Sequence, residues 1–167
     1  MEQRYIKIGV ALTVGLLAAL WAINNVLNWE TAHGAVAYAL SQDNQSGYPV
    51  HIIPPVNSAV AATIGLIVII LTEATAGSLA LVGAWRMWSR RNAETPAFAA
   101  AKRFAIVGVG IAVLNWFLGF LVIGGSLIMM GQAEGMESAI RGAVAMASLC
   151  FLALIYLSMP EPSRSAD

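Results

Sequence analysis

Four long apolar stretches, separated by shorter polar ones, set the pattern of this chain. They run from about 6 to 28, 58 to 85, 104 to 130 and 142 to 159. A helix that crosses the hydrocarbon of a bilayer needs about 17–25 mostly apolar residues, and each stretch reaches that range. The second and third exceed the minimum, so tilt or a protruding end is expected. The pattern predicts an all-α fold, an antiparallel four-helix bundle in a membrane, forming one domain with a longer outward loop between helices one and two.

The breaks are marked by residue type. Pro54 and Pro55 stop any helix and introduce the second span. Pro96 breaks the middle loop, and Ala97 to Ala101 begin the helix that becomes span three. Pro160 ends span four and leaves a short, polar, loose tail to Asp167. The longest connection is 29–57. In it, Thr31 to Leu40 have the content of a short surface helix, and Asp43 to Gly47 read as a turn. Trp29 and Tyr38 suit the membrane–water interface. The first stretch has Arg4 and Lys7 ahead of it, as a signal peptide would. It ends in Asn24, Asn25 and Asn28 without a small-x-small cleavage site, and so reads as a retained anchor.

Composition agrees. The chain is 59% hydrophobic and 11% charged, against roughly 45–50% and about 25% in an average soluble domain. Net charge is zero and points to no partner. Its distribution is informative. Arg4, Lys7, Arg86, Arg90, Arg91, Lys102, Arg103 and Arg164 fall on one side of the four-span topology, and only Arg141 falls on the other. The positive-inside rule then places both termini and the middle loop in the cytoplasm.

Inside the spans the backbone satisfies itself, so the remaining information lies in polar side chains. Glu73 sits near the middle of span two. A charge at that depth costs about 2.5–3.5 kcal/mol on insertion scales, so the residue must be protonated, paired or hydrated. Gly77, Ala80 and Ala84 continue its stripe, small enough for a second helix to approach. Asn115 sits in a similar stripe in span three, with Gly108, Ala112 and Gly119. The expectation is direct packing of spans two and three, with the Asn115 amide bonded to the Glu73 carboxyl. Two roles follow. The pair is interhelical glue, or it is part of a proton or ion relay that would also draw on Thr72, Thr75 and Ser78. A second expected group is an outward polar layer of Asn24, Asn25, Asn28 and Arg141, with Glu30, Glu134 and Glu137 to balance the arginine. Such a layer is a vestibule, a binding surface, or simply the place where helices end.

Other chemistry finds no support. Cys150 is the lone cysteine, which excludes an internal disulfide and a cysteine metal site. His33 and His51 lie in the outward connection, not at the bundle depth that axial haem ligands require. No phosphate loop, HExxH, CxxC or nucleophile elbow occurs. No metal, cofactor or catalytic residue is therefore expected. The basic run from Arg86 to Arg91 follows a membrane boundary, which explains it through anionic lipid headgroups and without nucleic acid.

Several short pieces occur in order over nearly the whole chain. They are Asn24-Asn25, Thr72-Glu73-Ala74, Gly83-Ala84-Trp85-Arg86, Ala101-Lys102, Trp116-Phe117-Leu118-Gly119-Phe120, Gly124-Gly125, Arg141 and Tyr156-Leu157-Ser158-Met159-Pro160. In this the chain resembles the predicted small integral membrane proteins of bacteria grouped as domain-of-unknown-function family 2165. The resemblance implies a four-helix protein of the bacterial inner membrane and no established activity. The sequence departs from the family pattern at Ser126-Leu127, where Glu-Trp is common, and at Met129-Met130, where Met-Trp is common. Glu30 also stands later than the aspartate that usually follows the paired asparagines.

Three functions remain. The first is a non-enzymatic accessory or scaffolding subunit of a larger membrane assembly, such as a respiratory or photosynthetic one, with lipids and membrane proteins or further copies of itself as partners. The second is a small oligomeric transporter or proton conductor using Glu73 and Asn115. The third is a membrane enzyme, which lacks any converging pair of catalytic groups in the sequence.

Overall fold

The structure, a computed structural model, describes residues 2–43, 45 and 50–161. Helix α1 spans Glu2–Leu27 and α2 spans Trp29–Ser41. After the connection that follows, α3 spans Ala59–Ser89. A short loop leads to α4, Thr95–Ala101, and to α5, Arg103–Val113. The latter continues without interruption as a π-helical segment, Leu114–Leu127. A 3-10 turn at Met130–Gln132 precedes α6, Glu137–Ser158. Among the described residues four helical stretches are long and apolar enough to cross a membrane, and all regular structure is helical.

The chemistry at the helix ends explains the boundaries. Ser58 caps α3, its hydroxyl accepting from the Ala61 N–H at 3.3 Å. Pro96 occupies the first turn of α4, where its missing N–H costs nothing. Met159 turns to extended backbone ahead of Pro160 and ends α6. Asn28 has φ −109° and ψ 41° and separates α1 from α2. The expected short helix in the first connection is α2, somewhat longer than 31–40. The turn expected over Asp43–Gly47 lies outside the described residues except at Asp43 and Gln45.

Helix α3 is the centre of the bundle. It runs antiparallel to α1, packs α2 beside its N-terminal half and packs α5 on another face; α6 closes the bundle against α5 and the π-helical segment. Small residues set these distances. A Cβ on Gly77 would stand 2.7 Å from the Ala19 nitrogen of α1, and any Cβ on Gly83 would collide with the Ala105 backbone of α5. The small stripe after Glu73 therefore serves two helices. Gly77 meets α1, and Ala80 meets Gly108 of α5. The core between them is mostly alanine, with Met87, Phe98, Val109, Trp116, Cys150 and Leu157 filling the wider places. Large apolar side chains such as Leu20, Ile64, Leu71, Phe151 and Leu152 face outward. In lipid this arrangement is the stable one, because helices gain from close packing of small faces and lose nothing by exposing leucine.

The end that carries the basic residues is tied by buried charges. The Arg4 guanidinium donates to the Arg91 and Ala93 carbonyls at 2.9 and 2.6 Å and stacks over Phe98. Lys7 and Lys102, 1% and 4% exposed, both donate to Glu161 Oε1 at 2.7 and 2.8 Å. Both also donate to the Met159 carbonyl, at 2.8 and 2.9 Å. Three distant segments meet at one carboxylate. Burial by itself raises the Glu161 pKa, but hydrogen bonds from Lys102 and Lys7 outweigh it and hold the carboxyl below its ordinary value. The tail is thus not loose at its start. Glu161 is anchored, and residues 162–167 lie outside the described ones.

Candidate functional site

Glu73 lies midway along α3 with 1% of its surface exposed. Its hydrogen-bond donor comes from α1: Asn25 Nδ2 donates to Glu73 Oε2 at 2.9 Å. This corrects the expectation that Asn115 would make that bond. Asn115, 8% exposed in the first turn of the π-helical segment, lies beside the carboxyl. Its Nδ2 nevertheless completes no hydrogen bond. The Asn115 Oδ1 is met instead by the Thr72 hydroxyl at 2.9 Å. That hydroxyl also lies 2.8 Å from the Val68 carbonyl and 2.9 Å from that of Ile69. One hydroxyl proton serves one acceptor at a time. Thr75 and Ser78, the other relay candidates, are exposed on the outside of α3.

The π-helical winding accounts for part of the difference. Its i→i+5 bonds add a residue to each turn, so a four-residue step no longer returns to the same face. Gly108 and Ala112 lie in the close α5 interface as the stripe requires, but Gly119 does not; a Cβ there would meet nothing within 4 Å. Long π-helical runs are rare, and short ones collect at functional sites. Here the run begins one residue before the site's own Asn115.

The outward polar layer does not assemble. Asn25 turns inward to Glu73, while Asn24 and Asn28 are exposed and bond locally, Asn28 Nδ2 to the Asn24 carbonyl at 3.0 Å. Asn28 stands at the end of the helix that carries Asn25, and its side chain turns back to the Asn24 carbonyl instead of joining Asn25 at Glu73. Arg141 is 74% exposed and pairs at 3.3 Å with Glu137 on its own helix. Such a pair is worth little, and it reaches none of the three asparagines.

The histidines stay apart. His33 contacts the Ala59 carbonyl and the Thr63 hydroxyl and stacks on Trp29, fastening α2 to α3. His51 Nδ1 is buried without a partner among the described residues. Among the described residues no three His, Cys, Asp or Glu side chains converge as metal ligands. The arrangement therefore offers one buried carboxyl, two amides and a hydroxyl. These groups can join helices or hold one proton.

Sequence reasoning missed Lys7, Lys102 and Glu161. It counted the lysines only as orienting charges. A signal was present: Lys7 lies at helical spacing from Ala11, Val14 and Ala18, all buried, so its side chain shares the buried face of α1.

A compact set of apolar helices around a sealed polar centre defines an integral membrane protein of the helical-bundle class. The chain belongs to the family described as predicted small integral membrane protein (DUF2165), whose model matches residues 3–160. No curated protein and no solved structure matches it.

Proposed function

We propose that this protein is a non-enzymatic accessory or scaffolding subunit of a larger membrane assembly. The observation that carries the reading is the placement of Glu73. The one acidic residue in the middle of a span is closed in by Asn25 of α1 and by the Thr72–Asn115 pair that bridges α3 and the π-helical segment. It serves as an interhelical tie, and the outer faces are left to lipid and partner helices. Glu73 needs no further ligand in such a role. The proposed setting is a bacterial inner membrane with both termini in the cytoplasm. The family match supports a membrane setting, and the gathering of Arg4, Lys7, Lys102 and Arg103 at one end supports the orientation.

Purification from native membranes in mild detergent tests the proposal. A partner recovered in stoichiometric amount supports it. A monodisperse protein that brings no partner contradicts it. A second reading, a small oligomeric proton or ion conductor, has one specific observation in its favour. The orphaned Asn115 Nδ2 beside Glu73 leaves the polar centre a donor short of satisfaction.

A further inference from the structure

Two shallow cavities lie along the same side of α3 at the basic end. One, of about 390 Å³, is lined by Leu79, Arg103, Phe104 and Val107. The other, of about 570 Å³, is lined by residues that include Trp85, Arg86, Arg90 and Ala100. They adjoin at Arg86, whose guanidinium lies 4.0 Å above the Phe104 ring. Together they form a groove between α3 and the α4–α5 helix. Its deeper part is apolar and its upper rim is cationic.

The rim charges are not consumed by the protein. Among the described residues Arg86, Arg90 and Arg103 form no ion pair, and Glu94, the acidic residue of the same loop, pairs with none of them. The neighbouring basic residues differ: Arg4, Lys7, Arg91 and Lys102 are all occupied by carbonyls or Glu161. Stacking on Phe104 uses the face of the Arg86 guanidinium and leaves its N–H edge open, which is the edge that recognises phosphate. Trp85, 67% exposed, stands at the depth where tryptophan marks the headgroup boundary.

We infer that this groove seats an anionic phospholipid, its phosphate held by Arg86, Arg90 and Arg103 and an acyl chain lying along Leu79, Phe104 and Val107. Charge decides the class. A zwitterionic headgroup would bring its own cation toward three arginines, whereas an anionic one brings only the charge they lack. Basic recesses between spanning helices have this use in membrane proteins generally. The inference needs only that the chain spans a membrane, and it stands or falls apart from the scaffolding role.

The test uses the full chain in phosphatidylcholine vesicles. Phosphatidylglycerol or phosphatidylcholine with brominated acyl chains is added at matched mole fractions. Trp85 emission is taken as the difference between wild type and Trp85→Phe. The expected result is half-maximal quenching at a several-fold lower fraction of the phosphatidylglycerol. The combined variant R86Q/R90Q/R103Q should merge the two curves, while Arg141→Gln, at the opposite end, should leave them apart. Coincident curves in the wild type overturn the proposal, as does separation that survives the triple variant or disappears equally in Arg141→Gln. Salt provides a check on unaltered protein. At about 1 M, where screening acts within about 3 Å, the separation should narrow, and indifference to salt counts against the site. A photo-crosslinker at Ala100 in native membranes should label phospholipid. A protein adduct there would give the groove to a partner instead and overturn the assignment.

Discussion

The side-chain amide of Asn25 donates to the carboxyl of Glu73 over 2.9 Å, joining the last turn of α1 to the middle of α3. The bond spans 48 residues of sequence and fixes the level at which the two helices meet. With Thr72 and Asn115 on the other side, Glu73 is the point where three helical stretches share polar side chains.

A double-mutant cycle measures that point. Asn25→Ala and Glu73→Ala should each lower unfolding stability in detergent. The pair should show a coupling of about 0.6–2 kcal/mol, the range of interhelical hydrogen bonds in membranes. Asn24→Ala, one position away but exposed, should change little. Effects of Asn25 and Glu73 that add within about 0.5 kcal/mol would mean that the bond contributes nothing.

Close packing of α3 on α5 gives a second comparison. Gly83 has no room for a methyl group against Ala105, whereas a Cβ on Gly110 meets nothing within 4 Å. Gly83→Ala should destabilise by about 1–3 kcal/mol, the usual cost of overpacking. Gly110→Ala should be neutral or stabilise by up to about 1 kcal/mol through helix propensity. Thermal unfolding of the two variants side by side checks the sign of each.

At the basic end, acid should unfasten the structure. The charged form of Glu161 is favoured in the folded state by Lys7 and Lys102, so its stabilisation is present above the ordinary carboxylate range of about 4.3. It is lost as the pH falls through the lowered folded value. Wild-type stability measured between pH 6 and 3 should therefore fall on the acid side. Glu161→Gln should be less stable at pH 7, because two buried lysines lose their counter-charge, and its acid fall should be shallower. An identical acid fall in both proteins would show that Glu161 does not set it.

The sequence was a good guide to anything governed by hydrophobic period and length. The four spans, the helix before span three and the short helix after Trp29 all follow from apolar runs and prolines. The centrality of Glu73 also followed, because an acid inside an apolar run has few uses. Its partner did not. Pairing by depth assumes straight, regular helices of equal tilt. Here the π-helical winding from Leu114 changes which residues of span three share a face, and the end of α1 brings Asn25 to the Glu73 carboxyl. The Lys7–Glu161–Lys102 junction was hidden for a different reason. Lysine at a membrane boundary has a sufficient explanation in topology, and nothing local to Pro160 indicates that the chain turns back onto two buried cations.

Proton flux into sealed liposomes tests the central claim most directly, since it separates a carboxyl that holds helices from one that carries protons. Wild type and Glu73→Gln, reconstituted at equal density under an imposed potential, should both match empty liposomes. Flux through the wild type that disappears in Glu73→Gln would contradict the scaffolding account and establish Glu73 as part of a conducting path.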